Sequence, residues 1–428
     1  MNRRDVLKYT GALGAIAAFS PVLRGQIAGA SHRVAGTKKR LIMVMAQGGW
    51  DVTYALDPKA KTDKVDPPPT GAPKHFANYD VWIDPALPVE QQGVNDFFTA
   101  YASQAAIVRG ISVSSVSHKE CQKRMATGTR EETSPDMGAI VAHDGANDLP
   151  LPYLILGDTA FTGPYAVSAG RVGSTNQIIA LLDPAQAYDT GVQKLVPTDA
   201  ETKILQSYVN ASVDRAHATR GSLGYNKRRV DDFAEAIMRG EKLKAVKAGF
   251  GARGRTLELG SQIPLALAAL TQGISQSVML NTRLSWDTHT ANEDQAGFHA
   301  ETFAGLKQLM DALATTPGQK AGTKMIDDTV VVCFSEFSRT PKLNANGGKD
   351  HWPVTSAIVM GAGIKGGHAF GASTAAVEAD KIDFTTGAPA ADGITLLSQN
   401  FVAGVLSACG IDPADHLTGT EVFDAFVA

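Results

Sequence analysis

Leu41-Ile42-Met43-Val44-Met45-Ala46 runs directly into Gln47-Gly48-Gly49-Trp50-Asp51. Six apolar residues in succession, closed by paired glycines and an acid, form the pattern of a strand covered on both faces. The same grammar recurs along the chain, at Ala105–Arg109, Tyr153–Leu156, Ser277–Leu280, Thr329–Phe334 and Ser356–Met360. Between these runs lie segments with helical periodicity, at Gln92–Ser103, Ser117–Thr127, Ser134–His143, Gly260–Gly273, Glu293–Ala314 and Ile394–Cys409. Strands alternating with helices predict an α/β fold with a mostly parallel central sheet and helices on both faces.

Three stretches break the pattern. Residues 57–90 are rich in proline and predict a long surface excursion. Residues 198–250 are charged and helix-compatible, and predict a helical insertion in a single domain spanning 31–428. Residues 371–393 are small and polar, and predict a flap. At the start, Asn2-Arg3-Arg4-Asp5-Val6-Leu7-Lys8, the apolar stretch Tyr9–Leu23 and the small residues Ala28-Gly29-Ala30 resemble a twin-arginine export signal over residues 1–30. That resemblance implies export of the folded chain by the twin-arginine translocase, to the periplasm or outside the cell. No stable membrane span is expected after cleavage, because the apolar stretch falls short of the roughly 20 residues a span needs.

Composition narrows the function classes. Forty basic residues against 43 acidic give a net charge of −3, too balanced for a nucleic-acid binder working through charge. The three cysteines, Cys121, Cys333 and Cys409, are far apart and too few for a disulfide framework. No CxxCH or dinucleotide-type glycine fingerprint supports a redox enzyme.

In a parallel α/β sheet, ligands bind outside the carboxyl ends of the strands. Asp51 follows the first strand. Gly110 to His118 follow the second, Asp287 and His289 the Ser277 strand, and Ser335-Glu336-Phe337-Ser338-Arg339-Thr340 the Thr329 strand. Gly347-Gly348-Lys349-Asp350-His351-Trp352 precedes the Ser356 strand. Carboxylates with imidazoles form the ligand set of Zn²⁺, Mn²⁺ or a mixed two-metal site. Each element also has a structural explanation. Asp51 can hold a tight turn, Glu336 can pair with Arg339, and Ser117 with Glu120 can form a helix capping box.

The series GGWD, SH, WDTH, SEFSRT and GGKDHW, in this order, resembles the bacterial DUF1501 family, which is placed in the alkaline phosphatase–sulfatase superfamily. The resemblance spans about residues 40–373. Three departures stand out. Ser338 replaces a usual glycine, Ser335-Glu336 replaces the superfamily's Asp-His pair, and Cys121 lacks the Cys-x-Pro-x-Arg signature of formylglycine sulfatases. The resemblance implies a metal-dependent hydrolase of phosphate or sulfate esters, acting on a small anionic ester. Asp51, Asp287, His289, Glu336, Asp350 and His351 would hold one or two divalent ions, Zn²⁺ first, with Mn²⁺, Ca²⁺ or Mg²⁺ as alternatives. His118 would complete the shell or touch the leaving group. Ser117 or a metal-activated water would attack, and Arg339 would clamp anionic oxygens. The alternative is an exported binding or assembly protein that keeps the fold with a degenerate site.

Overall fold

The computed structural model describes residues 39–145, 149–157, 159–171, 198–219, 223–234 apart from 225 and 228, and 258–428. The expected export signal, residues 1–30, lies outside the described residues.

Eight strands form one sheet. In chain order they are β1 (Arg40–Met45), β2 (Ala105–Ser112), β3 (Tyr153–Ile155), β4 (Ala169–Arg171), β5 (Ser277–Asn281), β6 (Thr329–Phe334), β7 (Val354–Gly361) and β8 (His368–Gly371). Their spatial order is β8-β2-β7-β6-β1-β5-β3-β4. All pairs are parallel except the two made by β7, which runs antiparallel to both β2 and β6. Its start therefore lies at the same edge as the ends of β1, β2, β5 and β6. Residues before one strand and residues after four others are gathered at a single rim.

The continuous apolar runs are explained by two cores. Along β1, Ile42 and Val44 face one layer while Leu41, Met43 and Met45 face the other, as the two-residue period of a strand requires. The first layer holds the helices α1 (Gly93–Tyr101), α5 (Leu259–Thr271) and α6 (Asp294–Thr315), through Phe97, Phe98, Ile263, Phe303 and Leu306. The second holds α2 (His118–Thr127), α3 (Met137–Gly145) and α7 (Ser398–Ala408), through Met125, Ile140 and Phe401. The helix α4 (Asp199–Ala218) lies in the expected insertion and starts at Thr198 with a capping box to Glu201. Residues 235–250 of that insertion lie outside the described residues. Among the described residues no helix is long and apolar enough to cross a membrane.

Several local expectations change. The proline-rich excursion contains an antiparallel hairpin, Ala72–Phe76 with Tyr79–Ile83, anchored by the buried Tyr79, Val81 and Trp82. The expected flap holds short pairings rather than open loop, with Lys381–Ile382 against Ile394–Thr395. His368 opens the edge strand β8. The last helix begins at Ser398 rather than Ile394, because that pairing takes Ile394 first. Cys121, Cys333 and Cys409 are buried free thiols.

The first layer is tightly packed at α1, where a Cβ on Gly93 would come within 2.0 Å of the Ala300 carbonyl of α6. Gly93→Ala is expected to lower stability by about 1–3 kcal/mol, the usual cost of overpacking, read as a lower urea midpoint with unchanged slope.

Candidate functional site

The rim brings together His118, Asp287, His289, Glu336, Arg339, Asp350 and His351. His118 opens α2 after the β2 loop, and Asp287 and His289 lie in the β5 loop. His351 sits in a two-residue ribbon, Ser338–Arg339 against His351–Trp352, with His351 opposite Arg339. The β5 loop is not extended at this point. Tight turns from Thr288 to Trp286 and from His289 to Asp287 fold it back, and both side chains still reach one locus.

Three imidazoles converge on the Asp287 carboxylate. His118 Nε2 lies 3.3 Å from its Oδ2. His289 Nε2 and His351 Nε2 lie 3.2 and 3.3 Å from its Oδ1, and 3.0 Å from each other. Each ring is held at its far nitrogen by an acceptor. His118 Nδ1 meets Glu336 Oε1 at 2.9 Å, His289 Nδ1 meets Asp350 Oδ1 at 2.9 Å, and His351 Nδ1 meets the Val116 carbonyl at 2.8 Å. An acceptor at Nδ1 fixes the proton there and turns the Nε2 lone pair inward. Three Nε2 atoms and a carboxylate thus face one point, and Arg339 donates to the same carboxylate at 2.6 Å. His118, Asp287 and His351 have ligand atoms close enough together to share one ion.

Electrostatics follow the same logic. The hydrogen bond to Glu336 raises the His118 imidazole against the opposing effect of burial, and the Glu336 and Asp287 charges add to it. Burial lowers His351, helped by the Arg339 and His118 charges. For Asp287, burial works against ionisation, but the Arg339 hydrogen bond and charge, with His118 and His351, hold the carboxyl below its ordinary value.

Glu336 and Asp350, expected as ligands, stand behind the rings as anchors. Glu336 is fully buried and accepts from Gly48 N–H at 2.9 Å, Gln122 at 3.3 Å and Ser335 at 3.2 Å. Asp350 also accepts from Asn344. Asp51 does not join the convergence. It is fully buried and bonded to Lys349, Thr53 and Asn292. Arg339, expected to clamp anionic oxygens, is 1% exposed. It donates to the carbonyls of Gly48, Gly49 and Lys349 and to Asp287 Oδ1 at 2.6 Å, so four of its five N–H groups are engaged within the protein.

Ser117 is exposed and is the N-cap residue of α2, between Val116, which anchors His351, and His118. The expected capping box is absent. Ser115 Oγ takes Glu120 at 2.9 Å, and the Ser117 hydroxyl makes no capping bond.

The glycine pair of the first loop has a steric cause. Both residues have positive φ, at 127° and 90°. A Cβ on Gly48 would meet Asp287 N at 2.9 Å, and one on Gly49 would meet the Phe337 ring at 2.3 Å. Phe337 is buried beneath His118 and His351, with ring centroids 4.8 and 4.4 Å away. Phe337, Lys349, Gln122, Asn344 and the Val116 carbonyl were not singled out from sequence. Lys349 had the clearest available signal, a lysine between Gly348 and Asp350 in an otherwise glycine-rich, ligand-bearing loop.

Fold and site thus define a mostly parallel α/β protein with a histidine–aspartate centre at its carboxyl rim. The family model described as protein of unknown function (DUF1501) matches residues 38–421, and the chain belongs to that family. Among curated proteins, none matches this sequence. Solved structures similar to it include a protein of the alkaline phosphatase superfamily from Vibrio parahaemolyticus (9% identity, TM-score 0.42, covering 100% of this chain and 81% of that one). Another is the soluble domain of lipooligosaccharide phosphoethanolamine transferase A from Neisseria meningitidis (10%, 0.41, 93% and 96%). A third is a sulfatase from Pseudoalteromonas sp. (9%, 0.40, 100% and 77%).

Behind the site, His299 is buried against Trp50 and Trp286, donates Nε2–H to the Asp51 carbonyl at 3.0 Å and leaves Nδ1 without a partner. Burial pushes its pKa down to about 4. The unfolded chain, with an ordinary value near 6.5, takes up this proton first as pH falls. Stability from this group is therefore complete above about pH 6.5 and declines down to about pH 4. Between pH 7 and pH 4.5 the loss is about 2 kcal/mol. A His299→Phe variant is expected to lack this part of the decline when unfolding is compared at both pH values.

Proposed function

We propose that the chain is an exported, metal-dependent hydrolase of phosphate or sulfate esters. The reading rests on one observation, the convergence of the His118, His289 and His351 Nε2 atoms on the Asp287 carboxylate. His118, Asp287 and His351, with His289 beside them, would hold one divalent ion of the Zn²⁺ type. A bound ion of that kind polarises an ester's anionic oxygen and lowers the pKa of a coordinated water.

The chain's own residues supply the rest. Glu336, Asp350 and the Val116 carbonyl keep the three rings in one tautomer and one orientation. Arg339 fixes Asp287 and compensates its charge. Phe337 excludes water from beneath two of the rings. Ser117 offers a free hydroxyl at the start of α2, where exposed backbone N–H groups favour an anion. In the nucleophilic route, Ser117 Oγ attacks the phosphorus or sulfur, loses its proton and forms an enzyme ester while the alcohol departs. Water then cleaves that ester and restores the hydroxyl. In the direct route, water attacks and Ser117 only contacts the anion. The paired Arg3-Arg4 and the apolar stretch behind them support export by the twin-arginine translocase.

The test uses the full chain, exported and purified without chelator. Metal is measured by mass spectrometry, and turnover is measured on a panel of phosphate and sulfate esters. Bound metal and ester hydrolysis are expected in the wild type. Both should fall by more than about a hundredfold in His351→Ala, since a lost ligand costs at least as much as a lost outer-shell partner. Ser117→Ala separates the routes: abolished turnover with metal retained identifies Ser117 as the nucleophile. A folded protein with no metal and no activity on the panel would overturn the proposal and favour a binding or assembly role.

A further inference from the structure

The resemblance to two-metal enzymes implies that the acid ending the first strand is a ligand. The buried surroundings of Asp51 disagree. Oδ1 accepts from Thr53 N–H at 3.0 Å and from Thr53 Oγ1 at 2.7 Å. Oδ2 accepts from Asn292 at 3.0 Å and from the Lys349 ammonium at 2.7 Å. A carboxylate offers about four lone-pair positions, and all four are used. Burial alone would favour the neutral acid. The Lys349 charge and hydrogen bond, with those of Thr53 and Asn292, outweigh it and hold the Asp51 carboxyl below its ordinary value. Lys349 is itself 1% exposed. The pair is thus a complete, internally neutral unit with no valence left for an ion.

Its connections give it a second role. Lys349 immediately precedes Asp350 and His351, and its N–H donates to the Thr288 carbonyl between Asp287 and His289. Asn292 bonds Asp51 with its side chain and the Gly347 carbonyl with its N–H. The pair therefore joins three loops: the one after β1, the one after β5 that carries Asp287 and His289, and the one before β7 that carries His351.

We propose that Lys349 stands where a two-metal enzyme would place a second cation, so that the centre takes one divalent ion, and Asp51 with Lys349 positions the loops that hold it without touching it. This rests on the metal reading given above and fixes its stoichiometry.

The test is metal stoichiometry and Zn²⁺ affinity, by titration calorimetry and elemental analysis, on the full chain stripped and reloaded with Zn²⁺ alone. Wild type is expected to bind one equivalent. Lys349→Met or Asp51→Asn alone leaves a buried group without its partner and is expected to lower the melting temperature. The double variant Asp51→Asn/Lys349→Met removes both charges together, keeps similar shapes and is expected to recover part of that loss. It should still bind one equivalent, with an affinity no more than about a hundredfold weaker, the range of an outer-shell change. Two equivalents in the wild type falling to one in the folded double variant would overturn the proposal, as would one equivalent falling to none. Absence of Zn²⁺ binding in the wild type would overturn the metal reading itself along with this one.

Discussion

Three hydrogen bonds made away from the centre decide what the centre is. Glu336, Asp350 and the Val116 carbonyl each hold the Nδ1 side of a histidine. Without them the rings could rotate or exchange tautomers, and adjacent Nε2 atoms could share a proton. With them, three Nε2 atoms and Asp287 are directed at one point.

The sheet topology supplies these parts. A wholly parallel sheet would bring only the residues that follow strands to the carboxyl rim. The reversed strand β7 adds the residues that precede it, including Lys349, Asp350 and His351. Close packing then fixes the parts in place. Gly48 and Gly49 allow the first loop to pass against Trp286 and Phe337, where its carbonyls accept from Arg339 and its Gly48 N–H reaches Glu336. Arg339 thereby links that loop to Asp287.

The layered architecture was legible because strands such as Leu41–Ala46 are apolar throughout, which only burial on both faces accommodates. Short or weakly apolar strands escaped notice. Ala169–Arg171 has three residues and His368–Gly371 begins with a polar one, so neither carries a strand signature. At the site, acids and histidines at strand ends could be picked out one by one. Their division into inward-facing groups and anchors could not, because it depends on contacts across great sequence separations. His118 meets Glu336 218 residues away, and Asp51 meets Lys349 298 residues away. Local competition also misled. Ser117 and Glu120 have capping-box spacing, but Ser115 reaches Glu120 instead, and the Ser117 hydroxyl beside His118 makes no capping bond.

The most direct test of the convergence is X-ray absorption at the zinc edge of the Zn²⁺-loaded, full-length protein. A first shell of nitrogen and oxygen at about 2.0–2.1 Å is expected, with the outer-shell scattering of at least two imidazoles and no sulfur. An oxygen-only shell without imidazole scattering would contradict it, because the ion would then sit on carboxylates rather than between His118, His351 and Asp287.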